Sequence, residues 1–549
     1  MGQAKQPHPP WFEGIPPVRE RCVLGPLLDH WANTTPDRTF AIFQDGVKWT
    51  WAQAQREVRA SAQALQALGV KKGDTVLVWL PNNRPMFLAW FACNYLGAVF
   101  VPINTSYRGN LLAHVIANSG AKLMLCHAGL YDRLFDVDLA KVEAIAIIGL
   151  PASSAQPGEG PAGRRVLPES ILAGNADALG PVADIEAWDT HGIIYTSGTT
   201  GPSKGVLTSY LQVCTTGVAC YGYIGADDRM LINLPMFHVG GTTSIYAVLA
   251  RGASFVLVDG FESKNFWTQI KGQGCTTTAG LIGVMAEFLA KAEPAPGDQD
   301  NPLSTITLAP VTPQTVQLAE RYAFHYVTGF NMTEVSVPLV AELDTRMFGS
   351  CGRPRDGVQA RLVDANDIEV PDGETGELVL RTDVPWAITT GYNGMPEATA
   401  RAWRNGWFHT GDVFRKDAAG NYFFVDRAKD AIRRRGENIS SLEVEREVMA
   451  HASVLEAAVI PVPNPAGEDE VMVIVAPKPQ AAIDPEDLVK FLIPRMAHFM
   501  VPRYVRVLPS LPKTPTNKVQ KVDLRKEGVT SDTWDREAAG IVLKRQKLT

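Results

Sequence analysis

Residues 195–206 read Tyr-Thr-Ser-Gly-Thr-Thr-Gly-Pro-Ser-Lys-Gly-Val and follow a short, mostly apolar run at 191–194. Glycine lets the backbone approach an anion closely, hydroxyl groups donate hydrogen bonds, and the lysine supplies positive charge. The composition therefore predicts a polyphosphate-binding loop. It is not a Walker A loop, because no Ser or Thr follows Lys204 and the glycine spacing differs. A flexible connector between apolar segments is the alternative interpretation.

Length and composition indicate a multidomain globular protein. The chain has 549 residues and a net charge of −6, from 52 basic and 58 acidic side chains. This balance does not indicate nucleic acid as a partner. The seven cysteines are scattered, odd in number and never in a C-x-x-C pair. They predict reduced thiols in a cytoplasmic protein rather than disulfides or a metal site.

The most apolar segment, Met86 to Ile103, is not expected to be an integral membrane span. Gly97 and Pro102 interrupt it. It divides into a buried helix that ends near Leu96 and a short strand at Ala98–Val101. The N-terminal residues also lack the apolar region of a secretory signal.

The order of periodic segments predicts an α/β fold with two domains. Strand-like and helical runs alternate from Thr75 to Ile148 and again from Met230, which predicts parallel sheets covered by helices. After Gly349, short alternating runs with a turn at Asp372-Gly373 predict an antiparallel, barrel-like subdomain. The last hundred or so residues predict a small α+β domain. We place the two domains at residues 1–428 and 429–549.

A second candidate motif reads Tyr-Val-Thr-Gly-Phe-Asn-Met-Thr-Glu-Val-Ser at 326–336. The carboxylate of Glu334 is a hard oxygen ligand suited to Mg²⁺, and the Thr333 hydroxyl can hydrogen-bond a phosphate. A helix capping box is the structural alternative, but Glu334 directly follows Thr333, which is the wrong spacing.

Three more motifs follow along the chain. They are Gly-Trp-Phe-His-Thr-Gly-Asp-Val at 406–413, Phe-Val-Asp-Arg-Ala-Lys-Asp at 424–430, and Leu-Pro-Lys-Thr-Pro-Thr-Asn-Lys-Val-Gln at 511–520. A carboxylate accepts two hydrogen bonds from a ribose diol, so Asp412 is the candidate for a sugar, and Arg427 adds a fixed fork of donors. A simple turn is the alternative for Asp412.

Together, these motifs resemble the adenylate-forming superfamily of acyl-CoA synthetases, luciferases and peptide-synthetase adenylation domains. The resemblance covers residues 24 to 526, with the motifs in the family's order. It implies a large N-terminal domain of stacked α/β sheets with a β-barrel-like subdomain, and a small mobile C-terminal domain. The implied activity is an AMP-forming acyl-CoA ligase that uses ATP, Mg²⁺ and coenzyme A and alternates between two domain arrangements.

The resemblance also implies roles for individual residues. Lys518 is the adenylation lysine, Thr333 contacts the α-phosphate, His238 faces the carboxylic acid substrate, Glu334 holds Mg²⁺ and Lys429 is the hinge. Gly436 gives the coenzyme A thiol room to pass. The implied nucleotide-binding residues are Thr196, Ser197, Gly198, Thr199, Thr200, Lys204, Ala309, Phe330, Asn331, Asp412 and Arg427.

Three departures from the family pattern affect these assignments. Phe330-Asn331 replaces Tyr-Gly, Thr307-Leu-Ala309-Pro replaces Gly-Gly-Ala-Pro, and Asn517 replaces a glycine. Phe330 can still stack on adenine, and Asn331 can tolerate a turn made elsewhere by glycine. The assignment of Ala309 to the adenine wall depends on the resemblance alone.

Substrate and acceptor are the least determined features. No aspartate for an amino group accompanies His238, which argues against an α-amino acid. The glycines at 240, 241 and 329 suggest room for an acid wider than acetate. The chain looks closest to crotonobetaine/carnitine and medium-to-long or alicyclic acyl-CoA ligases, and a homodimer is the family default. Loading of a carrier protein is the alternative function, whereas a luciferase-like oxygenase or an inactive scaffold fits less well.

Overall fold

The computed structural model describes most of the chain. The described residues are 19–107, 109–149, 160–196, 203–282, 285–427, 432–434, 437–439, 441–463, 469–496, 500–513, 519–541 and 543. They fall into two compact units. Unit 1 holds described residues 19–196, 203–360 and 380–407, and unit 2 holds 361–379 and 408–543.

The first part of unit 1 alternates helices and strands. The elements are α1 Arg19–Cys22, α2 Leu24–Thr34, β1 Thr39–Phe43, β2 Lys48–Thr50, α3 Trp51–Ala67, β3 Thr75–Trp79, α4 Arg84–Tyr95, β4 Val99–Pro102, α5 Gly109–Ser119, β5 Leu123–His127, β6 Ala144–Ile148, β7 Arg165–Leu167, β8 Thr190–Thr196 and β9 Lys204–Ser209. Helix α4 and strand β4 confirm the predicted division of the apolar segment.

A seven-stranded sheet in the order β7-β6-β5-β3-β4-β8-β9 is the first layer of unit 1. Its strands are parallel except for the antiparallel pair β8–β9. Alternate residues of β3 enter different cores: Val76 and Val78 join one cluster, and Leu77 and Trp79 join another. This sheet is therefore buried on both faces, which explains why its strands are apolar throughout rather than alternating.

The second part of unit 1 continues the alternation. The elements are α6 Tyr210–Cys220, β10 Arg229–Ile232, α7 Val239–Arg251, β11 Ser254–Leu257, α8 Phe266–Gln273, β12 Thr277–Thr278, β13 Leu281–Ile282, α9 Met285–Ala290, β14 Thr305–Ala309, α10 Pro313–Tyr322, β15 His325–Val327, β16 Gly329–Phe330, β17 Leu339–Val340 and β18 Ser350–Pro354.

Three further groups of strands belong to unit 1. Strands β12-β10-β11-β1-β2 form a mixed sheet in which only β2 is antiparallel to its neighbour. Strands β13-β14-β15 are parallel, and β16-β17-β18 are antiparallel. The mixed sheet shares a core with α2, α4, α6 and α7, in which Phe40, Phe87 and Phe255 pack edge to face. A turn at Asp45-Gly46 joins β1 and β2.

The remaining elements include the C-terminal part of the chain. They are β19 Val358–Val363, β20 Thr375–Thr382, α11 Pro396–Ala402, β21 Phe408–Lys416, β22 Tyr422–Arg427, β23 Ile432–Arg434, β24 Glu437–Ile439, α12 Ser441–Met449, β25 Val454–Pro463, β26 Asp469–Pro477, α13 Pro485–Leu492, β27 Tyr504–Val507, α14 Lys521–Glu527 and β28 Trp534–Asp535. The border between the units runs through β19 and β20, and α11 belongs to unit 1.

Unit 2 contains two larger strand groups. Strands β22-β21-β20-β19 lie side by side, and β21–β22 are antiparallel. Strands β25-β26-β27-β28 form a sheet whose inner faces join two clusters of buried side chains with α12, α13 and α14. The predicted α/β fold, with short antiparallel strands after residue 349 and an α+β C-terminal part, is confirmed.

Candidate functional site

The ends of the predicted phosphate loop are fixed by the β8–β9 hairpin. Thr196 pairs with Lys204 across the hairpin, and the Ser203 hydroxyl donates to the Thr196 carbonyl at 2.6 Å. The His114 ring nitrogen Nε2 donates to the Ser203 carbonyl at 2.8 Å. Because β8 pairs in parallel with β4, the loop starts at the carboxyl edge of the sheet, where ligands of α/β proteins bind. The candidates Ser197, Gly198, Thr199 and Thr200 lie outside the described residues.

Lys204 lies over an aromatic ring that the sequence did not identify. Its Nζ is 4.6 Å from the centroid of the Tyr392 ring. The Tyr392 hydroxyl donates to Oε1 of Glu334 at 2.9 Å. One buried tyrosine therefore contacts the candidate phosphate-binding cation and the candidate metal-binding carboxylate.

The segment that carries Thr333 and Glu334 is held from two directions. The side-chain amide of Gln212 donates to the Thr333 carbonyl at 3.0 Å, and the backbone amide of Thr389 donates to the Glu334 carbonyl at 2.8 Å. Both candidate side chains are buried, with 5% of their surface exposed. The backbone of Thr333 and Glu334 is therefore fixed, and Glu334 shares its contact with Tyr392 with Lys204.

The candidate adenine-binding residues lie at the ends of short strands in the same unit. Phe330 ends β16 and is half-buried, and Ala309 ends β14. Asn331 does not adopt the positive φ that glycine favours. Its Oδ1 instead accepts a hydrogen bond from the Val337 amide at 3.0 Å. Asn331 therefore orders the following loop with its side chain, which a glycine at this position could not do.

His238 lies at the beginning of α7. Its Nδ1 accepts from the Gly240 amide at 3.3 Å, so the imidazole acts as the helix N-cap, and the side chain is exposed. Capping orients the ring but does not test its expected contact with the acid substrate.

The argument from small residues for a wide acyl pocket is wrong. A Cβ on Gly241 would lie 2.2 Å from the Pro235 carbonyl oxygen, and one on Gly329 would lie 2.4 Å from the Leu339 carbonyl oxygen. At both positions the missing side chain lets two backbone segments approach. A Cβ on Gly240 would lie 2.9 Å from Leu234 Cδ1. These glycines therefore serve packing, and their number does not measure space for a substrate.

In unit 2, the candidate ribose ligand Asp412 lies on β21 and is buried. Its amide donates to the Thr410 hydroxyl at 3.1 Å, and its backbone pairs with that of Arg427 on β22. Glu377 accepts from the Gly411 amide at 3.0 Å and lies 3.0 Å from Nδ1 of the buried His409. These contacts fix the strand at the residue before Asp412. The Arg427 side chain is outside the described part of the structure.

The candidate catalytic lysine, Lys518, also lies outside the described residues, as do Lys429 and Gly436. The two neighbouring lysines have other partners: Lys513 pairs with Glu456, and Lys521 lies 2.7 Å from Glu445. A backbone bridge joins Lys513 to Val519. The role of Lys518 stays a prediction from the sequence.

The sequence motifs missed three residues that fix the described site: Tyr392, Gln212 and Arg355. The Arg355 guanidinium donates to the carbonyls of Ser336 and Val337, in the loop that follows Glu334. A polar residue inside the apolar helix α6 could have indicated Gln212. No sequence motif marks Tyr392 or Arg355, because their partners Glu334, Ser336 and Val337 belong to other elements.

The donor set fits a magnesium–polyphosphate complex. Glu334 supplies a buried carboxylate, and the described residues contain no group of three or more His, Cys, Asp or Glu side chains able to hold a metal. Mg²⁺ in nucleotide sites typically takes one or two carboxylates and completes its octahedron with phosphate oxygens and water. A buried carboxylate that shares a tyrosine contact with a lysine matches this pattern.

Two whole-chain features were also predicted from the sequence. None of the described helices is long and apolar enough to cross a membrane. All seven cysteines are free thiols. Burial raises the pKa of Cys93, Cys214 and Cys275 to about 12 and that of Cys220 to about 11.

Family models match both parts of the chain. The family described as AMP-binding enzyme matches residues 28–393, and the AMP-binding enzyme C-terminal domain matches residues 443–518. The second match includes Lys518, whereas the first includes Lys204, Thr333, Glu334 and Tyr392.

Curated relatives match almost the full length. The chain is 31% identical over 508 residues to a feruloyl-CoA synthase of Amycolatopsis sp, covering 90% of this chain and 97% of the relative. It is 28% identical over 517 residues to the crotonobetaine/carnitine–CoA ligase of Salmonella arizonae (strain ATCC BAA-731 / CDC346-86 / RSK2980), covering 91% and 98%.

A solved structure shares the fold at lower identity. O-succinylbenzoate coenzyme A synthetase from Bacillus subtilis, in complex with ATP and magnesium ion, aligns with a TM-score of 0.75 and 23% identity. The alignment covers 91% of this chain and 99% of that one.

Proposed function

The chain belongs to the AMP-binding enzyme family and is an ATP-dependent, AMP-forming acyl-CoA ligase, and on that premise we propose which residues carry its reaction. In the first half-reaction, a carboxylate oxygen of the acid attacks the α-phosphorus of ATP. The bond from that phosphorus to the bridging oxygen breaks, and the products are acyl-adenylate and pyrophosphate. In the second, the coenzyme A thiol attacks the acyl carbonyl, and AMP leaves.

The observation that carries the residue assignments is the convergence of Lys204, Glu334 and Thr333. Lys204 and Glu334 contact the same tyrosine, and Thr333 precedes Glu334 on a segment held at both carbonyls. A fixed cation beside a fixed carboxylate suits a polyphosphate that carries a divalent cation. We assign Lys204 to the terminal phosphates, the Thr333 hydroxyl to the α-phosphate and Glu334 to Mg²⁺, which would offset the charge of the departing pyrophosphate.

The other nucleotide assignments are proposals that depend on sequence position. Thr196, Ser197, Gly198, Thr199 and Thr200 would contact phosphate oxygens. Ala309, Phe330 and Asn331 would border the adenine, and Asp412 with Arg427 would hold the ribose. Asp412 is buried, and its carboxylate has the two acceptor oxygens that a ribose diol requires.

We also propose that one domain rearrangement separates the two half-reactions. Lys518 would stabilise the charge that develops at the α-phosphate, and His238 would contact the acid. The small domain, which we place at residues 429–549, would then turn about Lys429 and bring Gly436 to the path of the thiol. The boundary and the hinge are predictions from the sequence.

The acid itself is proposed to carry a hydrogen-bond donor besides its carboxylic group. The Thr215 hydroxyl and Oδ1 of Asn233 are buried and have no hydrogen-bond partner among the described residues. The Asn233 amide nitrogen donates to the Gly280 carbonyl at 3.0 Å, and we assign the Gly280 segment to the acyl pocket. Buried acceptors that lack a donor cost free energy, so a hydroxylated acid would be selected over its deoxy analogue.

Pyrophosphate release across a panel of short, medium, long, aromatic and polycyclic acids tests the substrate proposal. The panel should pair hexanoate with its terminally hydroxylated analogue and phenylpropanoate with its ring-hydroxylated analogue. We expect kcat/KM to favour the hydroxylated member about tenfold or more, and Asn233→Leu to remove the preference. Equal values for both members of each pair would contradict it. Adenylation without thioester formation would favour the carrier-protein alternative.

Replacement of the candidate catalytic lysine tests the mechanism. We expect Lys518→Ala to lower the acid-dependent rate of pyrophosphate release about 10²–10³-fold, since it removes a charge that acts on the transition state. Lys526→Ala is the matched control, because Lys526 is exposed on α14 and lies 3.7 Å from Asp523 on the same helix. A normal rate in Lys518→Ala would contradict the assignment.

Two properties of the whole protein remain proposals. We propose a cytoplasmic location, because seven free thiols suit a reducing compartment. We propose a homodimer on family grounds, and light scattering coupled to gel filtration measures the mass directly. A mass near 59.7 kDa would indicate a monomer instead.

A further inference from the structure

Tyr392 joins two functional groups from distant parts of the sequence. Its hydroxyl donates to Glu334 Oε1 at 2.9 Å, and its ring lies 4.6 Å from Lys204 Nζ. Lys204 begins β9, whereas Glu334 follows β16. The tyrosine therefore lies between the groups assigned to phosphate and to metal.

The backbone around Tyr392 is tied to β9. Val206 and Tyr392 form an antiparallel bridge, the Leu207 amide donates to the Gly391 carbonyl at 3.0 Å, and the Asn393 amide donates to the Gly205 carbonyl at 2.8 Å. The Tyr392 amide donates to the Thr399 hydroxyl at 2.9 Å. These bonds fix the ring relative to Lys204, two residues before the bridge.

The phenol has only one role available in its contact with Glu334. An ionised carboxylate only accepts, so the hydroxyl is the donor in this hydrogen bond. This donation restricts the rotation of the carboxylate and selects the direction of its oxygens.

The ring has a second role toward the lysine. The face of an aromatic ring is electronegative and attracts an ammonium group. Because the ring is fixed, it restricts Lys204 to a position near Glu334. Without this support the lysine would sample many rotamers, and phosphate binding would have to overcome that lost entropy.

We propose that Tyr392 is a positioning residue that couples the two ligands: it orients Glu334 toward Mg²⁺ and Lys204 toward the polyphosphate. The proposal rests on the proposed function, in which Glu334 binds Mg²⁺ and Lys204 binds phosphate. It assigns separate tasks to the two parts of one side chain, the hydroxyl to the metal and the ring to the phosphate.

Calorimetric binding of ATP, without acid substrate, separates these tasks. Affinity is measured once with EDTA and once with saturating Mg²⁺, and the ratio of the two is the metal-dependent gain. Tyr392→Phe removes the hydroxyl and keeps the ring. We expect the gain to fall about tenfold, as for a lost hydrogen bond to a charged group, while affinity in EDTA changes less than about twofold.

Tyr392→Leu removes both contacts. We expect the same loss of the metal-dependent gain, together with about two- to fivefold weaker ATP binding in EDTA. If Tyr392→Phe does not fold, Tyr392→Gln replaces it, with a donor but no ring. The expectation is then reversed: the gain is retained and affinity in EDTA falls.

Tyr95→Phe is the matched control. The Tyr95 hydroxyl also donates to a carboxylate, that of Asp29, at 2.9 Å, but neither residue belongs to the candidate site. This variant loses an equivalent bond and should keep both affinities. A change in the gain as large as that of Tyr392→Phe would mean that the effect is general destabilisation and would overturn the proposal.

Glu334→Gln distinguishes failure of this proposal from failure of the proposed function. If Glu334→Gln loses the metal-dependent gain and Tyr392→Phe keeps it, Tyr392 has no positioning role and the function stands. If Glu334→Gln keeps the gain, Glu334 does not bind Mg²⁺, and both the residue assignment and this proposal are wrong.

Discussion

Arg355 is a charged residue of unit 1 whose guanidinium donates hydrogen bonds to the backbone. Its guanidinium donates to the carbonyls of Ser336, Val337 and Asp356 and to the Ser336 hydroxyl, at distances of 2.9 to 3.2 Å. Burial lowers its pKa to about 10, so it is still charged at neutral pH. The charge therefore stabilises the loop after Glu334, which lacks a regular backbone ladder.

Arg355→Lys is expected to destabilise the protein by about 2–3 kcal/mol, because one ammonium cannot reproduce a planar fork with several carbonyl partners. Thermal unfolding measures this as a lower midpoint. Arg346→Lys is the control, since Arg346 is 70% exposed and pairs with Glu320 at the surface. A surface ion pair adds little stability, so this variant should change the unfolding midpoint little. Equal shifts in the two variants would contradict the buried role of Arg355.

Helix α7 shows how one glycine sets the position of an element. The helix begins after His238, and Gly241 faces the backbone of Pro235 and Met236 without room for a Cβ. The tight approach holds the start of α7 against the end of the preceding segment. The position of the His238 imidazole therefore depends on Gly241.

Gly241→Ala is expected to displace the start of α7 and to destabilise the protein by about 1–3 kcal/mol, despite the better helix propensity of alanine. The KM for the acid should rise with it. Gly240→Ala is the matched control, because its closest neighbour is the end of the Leu234 side chain, which can move. Unfolding midpoints and acid KM values check both, and a larger effect at Gly240 would contradict the argument.

The elements were predictable where local chemistry determines them. Thr50 and Gln53 form the capping box that begins α3, and Gly69, after its end, has a φ of +88°. The predicted mixture of helices and strands in the last hundred or so residues is also observed between Ser441 and Val507. The partners of Tyr392 and Arg355 were not predictable, since they depend on how distant strands pair. The glycines of α7 and β16 were misinterpreted because composition does not show whether a missing side chain leaves space or is filled by backbone.

At the scale of the whole molecule, one buried histidine links stability to pH. His191 on β8 is 1% exposed, and its Nε2 accepts from the Trp90 indole at 2.9 Å. An indole only donates, so Nε2 carries no proton and the ring is neutral. Burial lowers the pKa of His191 to about 3.

Stability is therefore expected to fall on acidification. In the unfolded chain the ring binds a proton near pH 6.5, whereas in the folded protein it does so only near pH 3. Between these two pH values the unfolded state binds more protons than the folded state. The free energy of unfolding that His191 contributes in full above pH 6.5 is therefore lost as the pH falls, by up to about 4 kcal/mol.

His191→Gln should be less stable than the wild type at pH 7 and should lose stability less steeply between pH 6 and 4. The measurement is the unfolding midpoint as a function of pH. The exposed His30→Gln should keep the wild-type slope. An unchanged slope in His191→Gln would show that other groups dominate the acid response.

The free cysteines described above have a chemical consequence for an enzyme that makes acyl-adenylates. An acyl-adenylate reacts with thiolates, and a thiolate on the protein would compete with coenzyme A for the acyl group. Burial raises the pKa of Cys22, Cys93, Cys126, Cys214, Cys220 and Cys275, so all six are protonated at neutral pH. The fold thus protects the enzyme from acylating its own interior by the intermediate it produces.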